Sequence, residues 1–442
     1  MRKTLSVILA IVMVLSLSAC GKTKTATEAP KPEAPQPASP QTDSPKTGQE
    51  EKLSGKVVVW SWDVACKSLQ DAAEKFKVKH PDVEFQFEDL GNDQVYDKMT
   101  TGLASNVGLP DVVSIEGERV ATFASKFPKG FVDVTNEINQ RDFLPIKISE
   151  CTVNGKLVAF PWDAAPCGIF YRQDMFDKAG IKAENIKTWD DFTAAGKQMT
   201  KTGVKMLPVA VSRNNMMYRM IMNQLGAFYL DQDGRSAFNS DASVKAMTYV
   251  KKMVDAKITY DNVNWDGLVT ATKEGKIATV PTAVWWAGTL QDECPEQKGK
   301  WRVMRFPSIE GGATTAAVNG GSALLVPAAS KNQKAAVAFA KFATSEVEPL
   351  IIGFSKYGLY PSYIPSFTDP LFEQGVEYFG GQKIWKMFSE IGKEIPAINF
   401  TENFAEADTM SIDAQARILV KGQGVKATLD DLQKNALNKF GK

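Results

Sequence analysis

Histidine is nearly missing from this 442-residue sequence: His80, in "KVKHPDV", is the only one. An imidazole triad, a histidine-rich zinc site or a histidine general base would each rest on that single residue, placed where a helical pattern gives way to a strand. A charge excess of either sign is also missing. Fifty-two Lys and Arg stand against 51 Asp and Glu, a formal net charge of +1, so no basic field draws the chain to nucleic acid and no acidic one draws it to a cationic surface. Phosphate loops are absent, because "NGGS" at 319–322 is too short for either GxxxxGK or GxGxxG. Cysteines number five, with no CxxC or Cys/His spacing of a zinc site. No metal or other cofactor is expected.

What is present begins at the first residue. "MRKTLSVILAIVMVLSLSAC" has Arg2 and Lys3, an apolar run from Leu5 to Leu17, and small residues before Cys20. The run is short for a bilayer span and has the layout of a secretory signal, expected over residues 1–19. Leu17-Ser18-Ala19-Cys20 resembles the lipobox of bacterial lipoproteins, in which the cysteine is acylated. Residues 20–52 carry six prolines and no large apolar side chain, so they cannot bury a core and read as a disordered tether. At ~3.1 Å per residue, such a chain would hold a folded body tens of ångströms from a membrane.

From Leu53 the pattern alternates. "GKVVVWSW" is a continuous β-branched and aromatic run, as in a buried parallel strand, and "LQDAAEKFKVKH" places Leu69, Ala72, Ala73 and Phe76 on one helical face. "VEFQFEDL", "DQVYDKMTTGLASN" and "PDVVSIE" continue as strand, helix and strand. This order predicts a doubly wound α/β lobe with ligands at the carboxyl ends of its strands. Thr188 before "WDDFTAAGKQM" predicts an N-cap, with Asp191 three residues on.

Near those strand ends the sequence sets aromatic rings beside carboxylates: Trp62 with Asp63, Glu116 and Glu118 with Arg119, and Trp162 with Asp163. A sugar presents a flat C–H face and a rim of hydroxyls, so its site needs a ring to stack on and charged acceptors. Glu116, Glu118 and Asp163 could also serve a glycosidase, which needs two carboxyls, one with a raised pKa; nothing in the sequence marks such a group.

Six stretches, among them "VVVWSWD", "GLPDVVSIE", "NGKLVAFPWDAAPCGIFYRQDMFDKAGI" and "NGGSALLVPAASKNQKAAVAFAKFATS", resemble in their order the extracellular solute-binding proteins of ABC importers, the group that includes maltose-binding protein. The resemblance runs from about Lys56 to the C-terminus. It implies an α/β, two-lobe periplasmic-binding-protein-like fold of the class II type, each lobe a doubly wound sheet with flanking helices. The lobes would be 53–166 with 307–365, and 167–306 with 366–442, joined near Cys167, near Phe306 to Pro307 and around Ser366. It further implies no catalysis, an oligosaccharide or other small polar solute as ligand, an ABC permease as partner, a monomer, and a place at the extracellular face of the membrane through lipid on Cys20.

Carried over by position, the resemblance puts Trp62, Asp63, Glu116, Glu118, Arg119, Trp162 and Asp163 in the first lobe's half of the site. From the second come Tyr218 or Arg219, Trp285 or Trp286, and Phe404, with Asn319 and Gly321 in a close-approaching loop. Of the adjacent pair, Trp286 is favoured as the ligand platform, since neighbours on a helix point about 100° apart and one ring is left for the core. Ala165, Val64 and Ala65 stand where the maltose binder has charged side chains, so maltose is not implied. A polyamine, a phosphate ester or a metal ion on the same fold is the main alternative; a secreted glycosidase is the other. Cys66 and Cys167 would both face the cleft, where a disulfide needs Cα atoms within about 7 Å; free buried thiols remain the other possibility for Cys66, Cys151, Cys167 and Cys294.

Overall fold

A computed structural model describes residues 52–441 apart from 232, 263 and 310–313, with backbone alone at 92 and 93. The expected signal, Cys20 and nearly all of the tether lie outside the described residues.

Strand β1 (Gly55–Ser61) carries Val57, Val59 and Trp60 into the core and leads into helix α1 (Asp63–Lys79), whose buried face holds Leu69, Ala72, Ala73 and Phe76. His80 ends that helix: its N–H donates to the Phe76 carbonyl and its ring lies 4.5 Å from that of Phe76. Pro81 follows, and proline disfavours helical backbone in the residue before it. Then come β2 (Val83–Asp89), α2 (Asn92–Ser105), β3 (Val112–Glu116) and α3 (Gly117–Lys126). β1 lies between β2 and β3 with both pairs parallel, in register from Gly55 opposite Val83 to Ser61 opposite Asp89. Ser322–Leu325 returns antiparallel beside β3, and Phe160–Pro161 forms the far edge.

The second lobe keeps the α/β layering but not the parallel pairing. Its main sheet is three strands, with Cys167–Arg172 central and antiparallel to both Thr279–Ala283 and Trp301–Met304. Parallel pairing there is confined to Leu207–Pro208 with Thr259–Tyr260 and to short bridges. Thr188 caps the helix Trp189–Thr200 as predicted: its side chain accepts from the Asp191 N–H while the Asp191 carboxylate accepts from the Thr188 N–H, a capping box that satisfies two otherwise unpaired donors.

Two apolar cores result. One gathers Val57, Leu69, Val113, Phe160, Leu324 and Phe339; the other gathers Phe170, Trp189, Tyr218, Trp286, Phe354 and Phe404. Three segments run side by side between them. Trp162 N–H donates to the Ser322 carbonyl and Asn319 N–H to that of Ala165, while Ala164 N–H donates to Tyr360 and Ser362 N–H to Trp162. Past the expected crossing at Phe306 to Pro307, Ile309 and Ala316 to Val318 pack in the second core. The segment also passes Tyr360 to Ser362 before reaching Ser366, which is buried in the 3-10 turn Ile364–Thr368. Among the described residues no helix is long and apolar enough to cross a membrane.

All four body cysteines are free and buried, so of the two possibilities for Cys66 and Cys167 the structure has the free thiols. Cys66 sits on α1 with Gln70 beside its sulfur, whereas the Cys167 thiol turns to the Ala165 carbonyl. Burial raises the Cys66 thiol to about 11 and the Cys151 thiol to about 12, so neither ionises readily.

Candidate functional site

The ends of β1 and β3 bring the first cluster together. Trp62, half-buried before α1, sets its ring edge-on to Tyr96 at 6.4 Å. Asp63 is exposed, with a left-handed φ of 45° and its N–H donating to the Asp89 carboxylate at 2.8 Å. A non-glycine residue in that region is under strain. The Glu116 carboxylate accepts from the Tyr96 hydroxyl at 2.8 Å and stands 3.5 Å from Arg119 Nε, while the Arg119 guanidinium lies 5.1 Å over the Tyr96 ring.

Glu118, on α3, reaches the second lobe. Its carboxylate pairs with Arg219 on the helix Met216–Gln224; Asp408 is 3.9 Å from that guanidinium, which lies 5.2 Å over Phe404. Burial pushes the Glu118 carboxyl above its usual value, with Arg219 working against the rise. For Arg219, burial opposes the charge, but Glu118 and Asp408 more than offset it.

Four of the sequence-predicted rings are buried. Trp162 is 3 % exposed, Tyr218 0 %, Trp286 1 % and Phe404 2 %. Tyr218 spends its hydroxyl on Ser243 at 2.6 Å, and Phe404 stacks with Phe228 and Tyr229. The tryptophan pair divides by burial, and Trp286, the ring expected to meet the ligand, is the more buried of the two. Trp286 opens the helix Trp286–Glu293 with its ring in the second core, whereas Trp285, one residue earlier, stays half-buried with its Nε1–H donating to the Asn319 carbonyl at 3.2 Å.

Asp163, Asn319 and Gly321 belong to the crossings rather than to an open surface. Asp163 Oδ1 accepts from the Ser322 N–H at 2.8 Å; burial raises its carboxyl, and Lys147 offsets part of that. Asn319 is buried with its Nδ2 3.2 Å from Met216 Sδ. Gly321 has φ +104°, and a Cβ there would lie 2.8 Å from the Asp163 carbonyl and 3.2 Å from Lys147 Nζ, so glycine is required at this close approach.

Sequence reasoning missed Tyr96, Met216, the buried pair Lys147 and Glu150, and Trp265. The last had a signal: Trp265–Asp266 is the same aromatic–carboxylate pair as Trp62–Asp63. Its ring lies 5.7 Å from that of Trp285, inclined at 46°. Behind these residues a space of about 30 Å³ is lined by Asn215, Met216, Asn262, Thr282 and Gln415 among others, and Thr282 Oγ1 is buried there without a hydrogen-bond partner. A separate cavity of about 350 Å³, between Gly288, Tyr357 and Trp385, is lined by none of the sequence-predicted residues. Among the described residues no group of three or more His, Cys, Asp or Glu could hold a metal.

Two α/β lobes, three strand crossings and a polar, aromatic-edged seam between them define a ligand-binding protein of the two-lobe periplasmic type. The chain matches the model of the bacterial extracellular solute-binding protein family over residues 66–348 and belongs to that family. It is 30 % identical over 397 residues to a lactose-binding protein of Rhizobium radiobacter, covering 87 % of this chain and 92 % of that one. With an arabinooligosaccharide-binding protein of Bacillus subtilis (strain 168) it shares 26 % over 381 residues, 81 % and 87 % of the two chains. The fold matches the GacH receptor of Streptomyces glaucescens with a TM-score of 0.74 at 22 % identity, over 87 % of this chain and 98 % of the receptor.

Proposed function

We propose that the chain captures an uncharged oligosaccharide between its lobes and delivers it, chemically unchanged, to an ABC permease while lipid on Cys20 holds it at the outer face of the membrane. The observation that carries this reading is charge compensation within the seam. Glu118 is matched by Arg219, which Asp408 also approaches, Glu116 by Arg119 and the Tyr96 hydroxyl, and Asp163 by the Ser322 N–H and the nearby charge of Lys147, whose ion pair is with Glu150. A polyamine would call for unpaired carboxylates and a phosphate ester for unpaired cations. Paired charges still offer lone pairs and N–H groups to neutral hydroxyls, and the half-buried rings of Trp62 and Trp285 supply faces to stack on. The lactose- and arabinooligosaccharide-binding names of the two relatives support the same class of ligand.

The lobes in this reading exchange chain at 162–167, 317–322 and 360–362, and the body acts as a monomer. It performs no hydrolysis: Glu118 gives its oxygens to Arg219 and Glu116 takes the Tyr96 hydroxyl, so neither is placed to hand a proton to a glycosidic oxygen.

Thermal-shift titration of the soluble body with neutral oligosaccharides, spermidine and sugar phosphates tests the reading, because a ligand bound only by the folded form raises the melting temperature. The expected result is a shift with neutral sugars, which are recovered at full length. A shift with amines or phosphates alone, or shortened sugars, would overturn it. Cys20→Ser in the full chain should release the protein to the medium; retention on the membrane would refute the anchor.

A further inference from the structure

We infer that Trp265 forms with Trp285 a bent aromatic platform that receives two consecutive sugar rings, so that the ligand is a disaccharide or longer. This rests on the sugar-binding reading and specifies its site. Trp265 is 49 % exposed, while the other exposed large apolar side chains among the described residues are the aliphatics Val78, Val107, Val347, Val420 and Leu437. An indole left half in water forgoes burial that a core position would supply.

Its placement is nevertheless fixed. Trp265 is the first residue of the helix Trp265–Lys273, capped by Asn264, whose side chain accepts from the Gly267 N–H at 2.9 Å. It meets the buried Trp286 edge-on at 5.3 Å and 85°. Trp285 is held in turn by its hydrogen bond to Asn319 at the crossing. Two rings could sandwich one sugar only if about 7–8 Å separated their planes, twice the usual carbon–carbon contact. The centroids are 5.7 Å apart and the planes inclined at 46°, so no sugar fits between them. Each indole instead offers its own outward face, and adjacent inclined faces suit adjacent inclined rings across one glycosidic link.

Isothermal titration of wild type, Trp265→Ala and Trp265→Phe with glucose, galactose and arabinose and with their di- and trisaccharides tests this. Trp265→Ala should weaken the disaccharide and longer ligands by about two- to tenfold, the range that one aromatic stacking contact gives. Monosaccharide affinity and the melting temperature of the free protein should stay put, and Trp265→Phe should recover part of the loss. Equal affinity at every length in Trp265→Ala, or the same loss for the monosaccharide, overturns the platform while leaving sugar binding intact. No binding of any of these sugars by the wild type overturns both.

Discussion

Lys147→Met removes the ammonium that Glu150 faces while keeping a side chain of similar length. Both groups are buried, and they sit under Gly117, where a Cβ would fall 1.9 Å from Glu150 Oε2, and beside Gly321 of the second crossing. Burial raises the Glu150 carboxyl to about 7, with Lys147 offsetting part of the effect. Moving a carboxyl from about 4.5 to about 7 places about 3 kcal/mol against its ionised form. The native state holds this proton to higher pH than the unfolded chain does, so the stability Glu150 contributes is whole below pH 4.5 and is lost as pH rises toward 7. Without Lys147 the carboxyl rises further, and Asp163 loses the same partner. At pH 5 Glu150 is neutral in both proteins, so the part of the cost that runs through Glu150 should be small, leaving the part that runs through Asp163. At pH 8, one unit above the wild-type value of about 7, Glu150 should add at most about 1.4 kcal/mol to the cost, because the variant's carboxyl keeps its proton rather than standing as an unpaired charge. For a body of roughly 390 residues, an unfolding entropy of about 0.8 kcal/mol/K turns that into about 2 °C. Scanning calorimetry at the two pH values reads it, and adding Glu150→Leu should restore most of that part of the loss. Equal losses at pH 5 and pH 8, or a double variant as weak as the single one, would refute the reasoning.

The adjacent tryptophans give a second expectation. Trp286→Ala empties a core site and should cost about 3–5 kcal/mol of stability by urea unfolding, whereas Trp285→Ala should leave the unfolding midpoint almost unmoved and weaken sugar binding. Gly321→Ala combines a left-handed φ with a 2.8 Å approach to the Asp163 carbonyl, and should lower stability by about 1–3 kcal/mol in the same assay. Dithiobis-nitrobenzoate should find four slow thiols in the folded body, all reacting promptly in denaturant; a pair that stays silent in denaturant would reveal a disulfide.

The first lobe was legible because its signals are local. A β-branched run, a helical stripe and a proline each fix a neighbour's conformation, and β1 to β3 follow them in order. The second lobe's antiparallel pairing was not, since its strands Cys167–Arg172, Thr279–Ala283 and Trp301–Met304 lie far apart in sequence and their direction is set by what the intervening chain packs against. Residue type alone does not tell which rings are buried. Trp162, Tyr218, Trp286 and Phe404 have the chemistry of a sugar platform, but each faces a filled core. Trp265 has the same chemistry and keeps about half its surface in solvent.

Burial also explains why the charged residues of the seam act together. Glu118 and Arg219 come from different lobes, and each has a side chain only 15 % and 12 % exposed. Either charge alone would be costly in that position, and their pairing offsets the cost only while the lobes stay in contact. Opening the seam returns both to water, where exposed charges need no partner. The pair therefore adds little to the stability of either lobe taken separately and couples instead to their approach. A neutral guest, once the seam has closed on it, exchanges hydroxyls for water around an ion pair that is made again. A charged guest would have to break the pair and leave one member buried without a partner.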